Sequence, residues 1–209
     1  MTDPVAQPDL FAPGWPEGLA YQPHFLAQED EVLLLEEIAS VPLHEARYRA
    51  YTAKRRIASF GAEYDFQSNQ LHAAPPLPEF LLPLRARVAA WVKMRAENFT
   101  HALITEYRPG TALGWHRDTP NFGIIAGISL RSACRMRFRP YPRRRAAKHE
   151  GFDLLLEPRS VYAFREEVRW RWQHSVPPTP DLRYSVTFRT LSPGVRPQDM
   201  PPQGPGPDK

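Results

Sequence analysis

The apolar positions of this chain change period near residue 100. Before it, they recur at helical spacing in two places. Residues 27–38 open on the acidic turn Glu29-Asp30-Glu31 and place apolar residues at 34, 35 and 38. That pattern predicts an amphipathic helix ending near Ser40. After Pro75-Pro76-Leu77-Pro78, residues 79–92 set 81, 84, 88, 91 and 92 on one face. Proline is tolerated only in a first helical turn, so this second helix properly begins near Pro83. From Thr100 onward the period falls to two, or to short β-rich runs between turns. It predicts strands over 101–107, 111–116, 123–130, 133–139, 152–156, 159–164, 172–176 and 183–190. Helices followed by many short strands make an α+β chain with a sandwich, jelly-roll or barrel core. Residues 1–20 and 192–209 are rich in proline and carry no period. They read as an irregular arm and a disordered tail around one domain, 21–191.

Composition narrows the class. A length of 209 residues with 42% hydrophobic and 24% charged residues suits one soluble globular domain. The single cysteine, Cys134, excludes an internal disulfide, and no apolar run is long enough to cross a bilayer. With no signal-like N-terminus, the expected location is cytoplasmic, and a monomer is expected. The net charge is only +4, but basic residues cluster. From Arg131 to Lys148 the chain carries Arg131, Arg135, Arg137, Arg139, Arg143, Arg144, Arg145 and Lys148 with no acid among them. Such a block suits a polyanion or a solvated loop. Residues 54–66 also mix basic and aromatic side chains, Lys54, Arg55, Arg56, Phe60, Tyr64 and Phe66, around Gly61. They look extended or loop-like, and could either hold phosphates and bases or form a surface hairpin with its aromatics buried.

Candidate chemistry centres on Trp115-His116-Arg117-Asp118. In an extended chain residues i and i+2 share a face, so His116 and Asp118 can converge on one point. A second histidine would complete the two-histidine, one-carboxylate set that leaves positions open on non-haem Fe(II). His174, late in the β-rich region between Trp172 and Val176, is the leading candidate, ahead of His101 and His149. Nine residues on, Arg183-Tyr184-Ser185-Val186-Thr187-Phe188-Arg189 alternates strictly. Tyr184, Val186 and Phe188 form an apolar face; Arg183, Ser185, Thr187 and Arg189 form the other, an anion clamp if it lines the core and an ordinary edge strand if it meets solvent.

His116-x-Asp118, His174 and Arg183-x5-Arg189, in that order, resemble the signature of AlkB-type Fe(II)/2-oxoglutarate-dependent dioxygenases. Residues 104–110 are similar to the strand and turn before that family's first iron ligand, and 183–189 to its closing strand. The resemblance implies a double-stranded β-helix (jelly-roll) core over 99–191, with N-terminal helices packed on one sheet and a nucleotide-recognition lid within 21–98. It implies Fe(II) on His116, Asp118 and His174, with 2-oxoglutarate and O2 as cosubstrates. Arg183 and Tyr107 would hold the far carboxylate of 2-oxoglutarate, and Arg189 would sit at or behind the iron-bound end. Thr105 and Ser185 stand where well-studied members carry asparagine, and hydroxyls reach less far than amides. The implied activity is oxidative demethylation of N-alkylated nucleobases in DNA or RNA, giving succinate, CO2 and formaldehyde. Arg55, Arg56, Phe60 and Tyr64 would contact the alkylated nucleic acid, with Arg143 to Lys148 adding phosphate contacts. Two alternatives remain at this stage: the same chemistry on a protein or lipid, and a nucleic-acid-binding module with a vestigial iron site.

Overall fold

A computed structural model describes residues 15–48, 51–65, 68, 70–142 and 151–196. Arg143 to Lys148, most of the N-terminal arm and the tail beyond 196 lie outside the described residues. In chain order the elements are β1 (Leu19–Gln22), α1 (Gln28–Ala39), β2 (His44–Tyr48), β3 (Tyr51–Phe60), β4 (Ala62–Asp65), β5 (Gln70–Ala73), α2 (Leu82–Trp91), β6 (Phe99–Tyr107), β7 (Leu113–His116) and β8 (Phe122–Leu130). They continue with β9 (Cys134–Pro140), β10 (Phe152–Leu156), β11 (Val161–Phe164), α3 (Glu166–Arg171), β12 (Trp172–Val176) and β13 (Arg183–Leu191).

Both helices form where the apolar spacing put them. A 3-10 turn, Glu79–Leu81, leads into α2, and Pro83 falls in its first turn, where no backbone donor is missed. The strands pair antiparallel into a seven-stranded sheet, β1-β11-β8-β13-β6-β3-β2, and a four-stranded sheet, β10-β9-β12-β7. These two sheets form the wall of a double-stranded β-helix, and β4 and β5 make a separate hairpin.

Period two explains why the large sheet is covered on both sides. Ala102, Ile104, Ala126, Ile128, Val186 and Phe188 turn outward and are fully buried under Leu34 and Ile38 of α1 and Leu84 and Val88 of α2. The large side chains among these contribute roughly 1.5–3 kcal/mol each by leaving water. The opposite face meets the small sheet across Ile125, Met136, Phe138, Leu154, Tyr162, Phe164 and Val176. Gly127 is a fitting requirement of that inner layer: a Cβ there would run into the Tyr162 ring. Beside these apolar residues the inner face also carries Arg183, Ser185 and Thr187, all buried. Buried polar groups need partners, so this stretch of the barrel calls for a ligand-like explanation.

Four features add to the sequence reading or depart from it. Leu19 and Ala20, assigned to the arm, are buried in β1 and pair with Phe164 and Ala163. The basic–aromatic segment, expected to be extended or loop-like, is extended at its start: its first part is β3, a strand of the large sheet paired to β6, and the chain turns at Gly61 with φ +77°. The short helix α3 carries no periodic signal because six residues are too few to show one. Glu31, one of the acids of the first turn of α1, is buried. It accepts from Arg131 N–H (2.8 Å) and from Arg159 Nη1 (3.1 Å), tying α1 to two loops of the barrel.

Candidate active site

Strand register brings the two histidines together. His174 of β12 lies directly opposite His116 of β7, and their ring centroids are 4.2 Å apart. Facing residues of an antiparallel pair share a side of the sheet, here the barrel interior. Between this pair and Val176–Leu113 the register slips, with Gly114 and Trp115 together opposing Ser175. Such bulges re-aim side chains near functional sites. Asp118, two residues beyond His116, turns inward as well, with Oδ2 3.6 Å from His174 Nε2. One ligand atom from each of His116, Asp118 and His174 lies within 4.8 Å of the other two, the group of this kind found among the described residues. His101, the weaker histidine candidate, is not in it.

The surroundings suit a divalent cation. His116 Nδ1 donates to the Gly114 carbonyl (2.9 Å), leaving Nε2 as the lone-pair nitrogen. Burial, with His116 beside it, pushes His174 down to about 3, and burial also lowers His116, so both imidazoles are neutral donors. Burial alone would raise Asp118, but Arg189, His174 and His116 outweigh it and hold the carboxyl well below its usual range. Two neutral imidazoles and one carboxylate on one side of a point are a donor set for Fe(II) with positions left open.

Arg189 supports that carboxylate. Its Nη2 donates to Asp118 Oδ1 (3.1 Å), and its Nη1 lies 3.4 Å from His101 Nδ1. Burial drives His101 well below its ordinary range, so this ring is neutral and can accept from the guanidinium. Six residues earlier on the same face, Arg183 is 1% exposed. Its Nε donates to Ser129 Oγ (3.1 Å), its guanidinium lies 5.0 Å from the centre of the Tyr107 ring, and its Nη2 has no hydrogen-bond partner. A charged, buried N–H without a protein partner fits a carboxylate brought by a small molecule. Tyr107 faces Arg183 across the β6–β13 pair, and Thr105 and Ser185 face each other one step along, both buried.

Of the residues assigned to substrate contact, Arg55 and Tyr64 come toward this site. Arg55 turns inward with Ile57, which pairs with Thr105. Burial lowers its pKa, against the opposing charges of Tyr107 and Asp118. Tyr64 packs on the cluster Ala62, Leu71 and Phe122, and the Phe122 ring lies 4.7 Å from that of His101, tilted to it. Arg56 and Phe60 have the other parity. Arg56 is held by Glu106 (3.2 Å) and the Leu43 carbonyl (3.0 Å), and Phe60 packs against the helix-side core.

Sequence reasoning missed Ser129, whose only signal is the inward parity of β8, and Arg169. Arg169 is 4% exposed and spends its donors on four carbonyls of the β7–β8 loop and the start of β8: Gly123 (2.9 Å), Thr119 (2.8 Å), Phe122 (2.6 Å) and Asp118 (3.4 Å). It holds the loop that carries Asp118. Arg169→Met leaves those carbonyls unpaired, at a cost of about 3 kcal/mol, or a fall of roughly 6–12 °C in Tm. Well below that melting point the folded variant is expected to bind Fe(II) at least tenfold more weakly, because Asp118 loses its fixed position. Iron titration at low temperature checks it, and unchanged affinity would confine Arg169 to stability.

Comparison with known proteins is decisive for the family. Residues 18–189 match the 2OG-Fe(II) oxygenase superfamily. The chain belongs to that superfamily. Within it the chain is similar to several ALKBH proteins. It is 26% identical over 181 residues to an Arabidopsis thaliana alkylated DNA repair protein ALKBH8 homolog, covering 77% of this chain and 51% of that protein. It is 25% identical over 105 residues to a probable RNA/DNA demethylase ALKBH6 of Danio rerio, covering 50% and 42%. The chain thus spans about half or less of the length of the curated relatives it matches. The solved structure of OsALKBH1 superposes with a TM-score of 0.65 at 16% identity, over 83% of this chain and 96% of that one, which shows the shared fold. That superfamily uses Fe(II), 2-oxoglutarate and O2, and His116, Asp118 and His174 form a group that could hold the metal. Among the described residues no helix is long and apolar enough to cross a membrane.

Proposed function

We propose that this oxygenase removes alkyl groups from the nitrogens of nucleobases in DNA or RNA. The observation that carries the reading is the pairing of a half-buried His116–Asp118–His174 group with inward-turned Arg55, a cation beside the site that the metal chemistry itself does not need. The names of the ALKBH relatives, a DNA repair protein homolog and a probable RNA/DNA demethylase, support the same class of substrate.

In this reading His116, Asp118 and His174 hold Fe(II). Arg183 takes the far carboxylate of 2-oxoglutarate through Nη2, with Tyr107, Thr105 and Ser185 lining its path. Arg189 keeps Asp118 ionised and oriented, and His101 accepts from the other side of that guanidinium. Bound together, iron, 2-oxoglutarate and O2 supply the oxidant: one oxygen atom goes to the N-alkyl carbon, and 2-oxoglutarate leaves as succinate and CO2. An N-methyl group thereby becomes N–CH2OH, which releases formaldehyde and returns the N–H. The protein's part is to position the carbon and keep water out. A base must leave its stack to reach a metal this deep, and Arg55 with Tyr64 stands beside the entering nucleotide.

The test is a panel of N-methylated single-stranded DNA, duplex DNA, RNA and methylated peptide, each with Fe(II), ascorbate and 2-oxoglutarate. Formaldehyde in step with succinate from an oligonucleotide is expected. Formaldehyde from peptide alone would assign the same chemistry to a protein substrate and overturn the reading.

A further inference from the structure

The outer face of the four-stranded sheet is built from arginine and aromatic side chains. Along β9, Cys134, Met136 and Phe138 turn into the barrel, and Arg135, Arg137 and Arg139 turn out. Alternate residues of a strand recur about every 6.8 Å, so this is a regular ladder of cations. Neighbouring strands extend it in rows: Arg137 lies beside Asp153 of β10 and Ser175 of β12, and Arg139 lies beside Gln173. Arg137 Nε donates to Ser175 Oγ (3.3 Å) and Arg139 Nε to Gln173 Oε1 (2.8 Å), which orient both guanidinium groups on the sheet. The Trp115 ring of β7 lies under both, 5.3 Å from Arg137 and 4.2 Å from Arg139. At the same end Arg117 stacks on the exposed Tyr141 ring at 4.0 Å, and exposed Trp170 stacks on Arg169 at 4.2 Å. Asp153 is paired with Arg135 at 3.0 Å and is the acid of these rows.

We propose that this face is the docking surface for a single strand of nucleic acid. Phosphates lie along Arg135, Arg137, Arg139 and Arg117, and bases lie against Tyr141 and against the guanidinium groups that Trp115 backs. The inference rests on the nucleic-acid reading above and adds the path by which the strand approaches. Charge complementarity selects a polyanion. Stacking on a ring takes the face of a guanidinium and leaves its N–H edge to phosphate. The aromatic rings select a single strand, because a duplex keeps its base faces inside while a single strand offers them for stacking. Position supplies the last argument. Strand β7 is the edge of this sheet, with Trp115 and Arg117 outside and His116 and Asp118 inside. A strand lying on the outer face has only to turn over that edge for one nucleotide to reach the metal group.

The experiment is fluorescence anisotropy of an unmethylated single-stranded oligonucleotide with the full chain, across salt concentrations. Arg135→Gln, Arg137→Gln and Arg139→Gln together are expected to lower the slope of log K against log salt by about 2, and affinity near 0.1 M salt by roughly a hundredfold. Trp115→Ala is expected to weaken binding about five- to a hundredfold with the slope kept. Succinate release without substrate, unchanged in both variants, shows that fold and metal site persist. Wild-type affinity and slope in the triple variant would reduce the face to a solvated cover and overturn the proposal. Polyglutamate bound as tightly as the oligonucleotide, with no effect of Trp115→Ala, would also overturn it in favour of an acidic protein partner. Oligonucleotide binding through this face by an enzyme that releases no formaldehyde from any methylated strand would uphold the docking surface and sink the demethylation reading alone.

Discussion

His174→Ala is expected to abolish 2-oxoglutarate turnover and to lower Fe(II) affinity by more than the ten- to hundredfold that losing an outer hydrogen-bond partner of a ligand costs. The imidazole faces His116 directly and lies 3.6 Å from Asp118, so no described residue can take its place in the group. Removing it also opens space between Phe164 and Phe138, whose rings lie 5.1 Å and 6.2 Å from it, so some loss of stability accompanies the loss of iron. A thermal melt separates the two: a folded variant without turnover locates the defect in metal binding. Retained succinate release in folded His174→Ala protein would remove this residue from the ligand set.

Arg183→Gln is expected to raise KM for 2-oxoglutarate roughly a hundredfold and to leave kcat within a fewfold. Truncating one partner of a buried, hydrogen-bonded charge pair costs about 3 kcal/mol, and each 1.4 kcal/mol is tenfold. Nη2 of Arg183 is buried without a partner in the protein, and its Nε is already fixed by Ser129. The guanidinium is thus aimed before the carboxylate arrives. Because the residue lies six positions along β13 from Arg189, which reaches Asp118, it acts on binding and leaves the chemistry at the metal to others. Measuring kcat and KM separately checks it. A fall in kcat with KM unchanged would place Arg183 elsewhere in the mechanism.

Most of the barrel was legible because its strands alternate. The predicted runs from 101 to 190 differ from the observed strands by two residues or fewer at each end, and strict parity put Arg183, Ser185, Thr187 and Arg189 on one face of β13, which the pairing with β6 and β8 then turns inward. Parity without register has limits, however. Arg55 and Arg56 look equivalent in the sequence, and only the pairing of Ile57 with Thr105 decides which one faces the site. The same pairing sends Phe60 to the helices with Arg56. Arg169 left no trace because its partners are backbone carbonyls, which every residue possesses. The burial of Glu31 was not legible either: an acid in a first helical turn is ordinary, and nothing local reveals two arginine loops folding over it. His116, Asp118 and His174 were legible through residue type and spacing, and the barrel's register explains how two histidines 58 positions apart meet.

The most direct test of the site is an anaerobic titration of the wild-type enzyme and its Arg183→Gln and His174→Ala variants with Fe(II) and 2-oxoglutarate, read by the visible absorption of an iron–keto acid chelate. The band is expected in the wild type at near one equivalent of each, in Arg183→Gln only at about a hundredfold more 2-oxoglutarate, and not at all in His174→Ala. A band of equal strength and equal 2-oxoglutarate dependence in all three proteins would contradict the assignment of iron to His116, Asp118 and His174 and of the cosubstrate to Arg183.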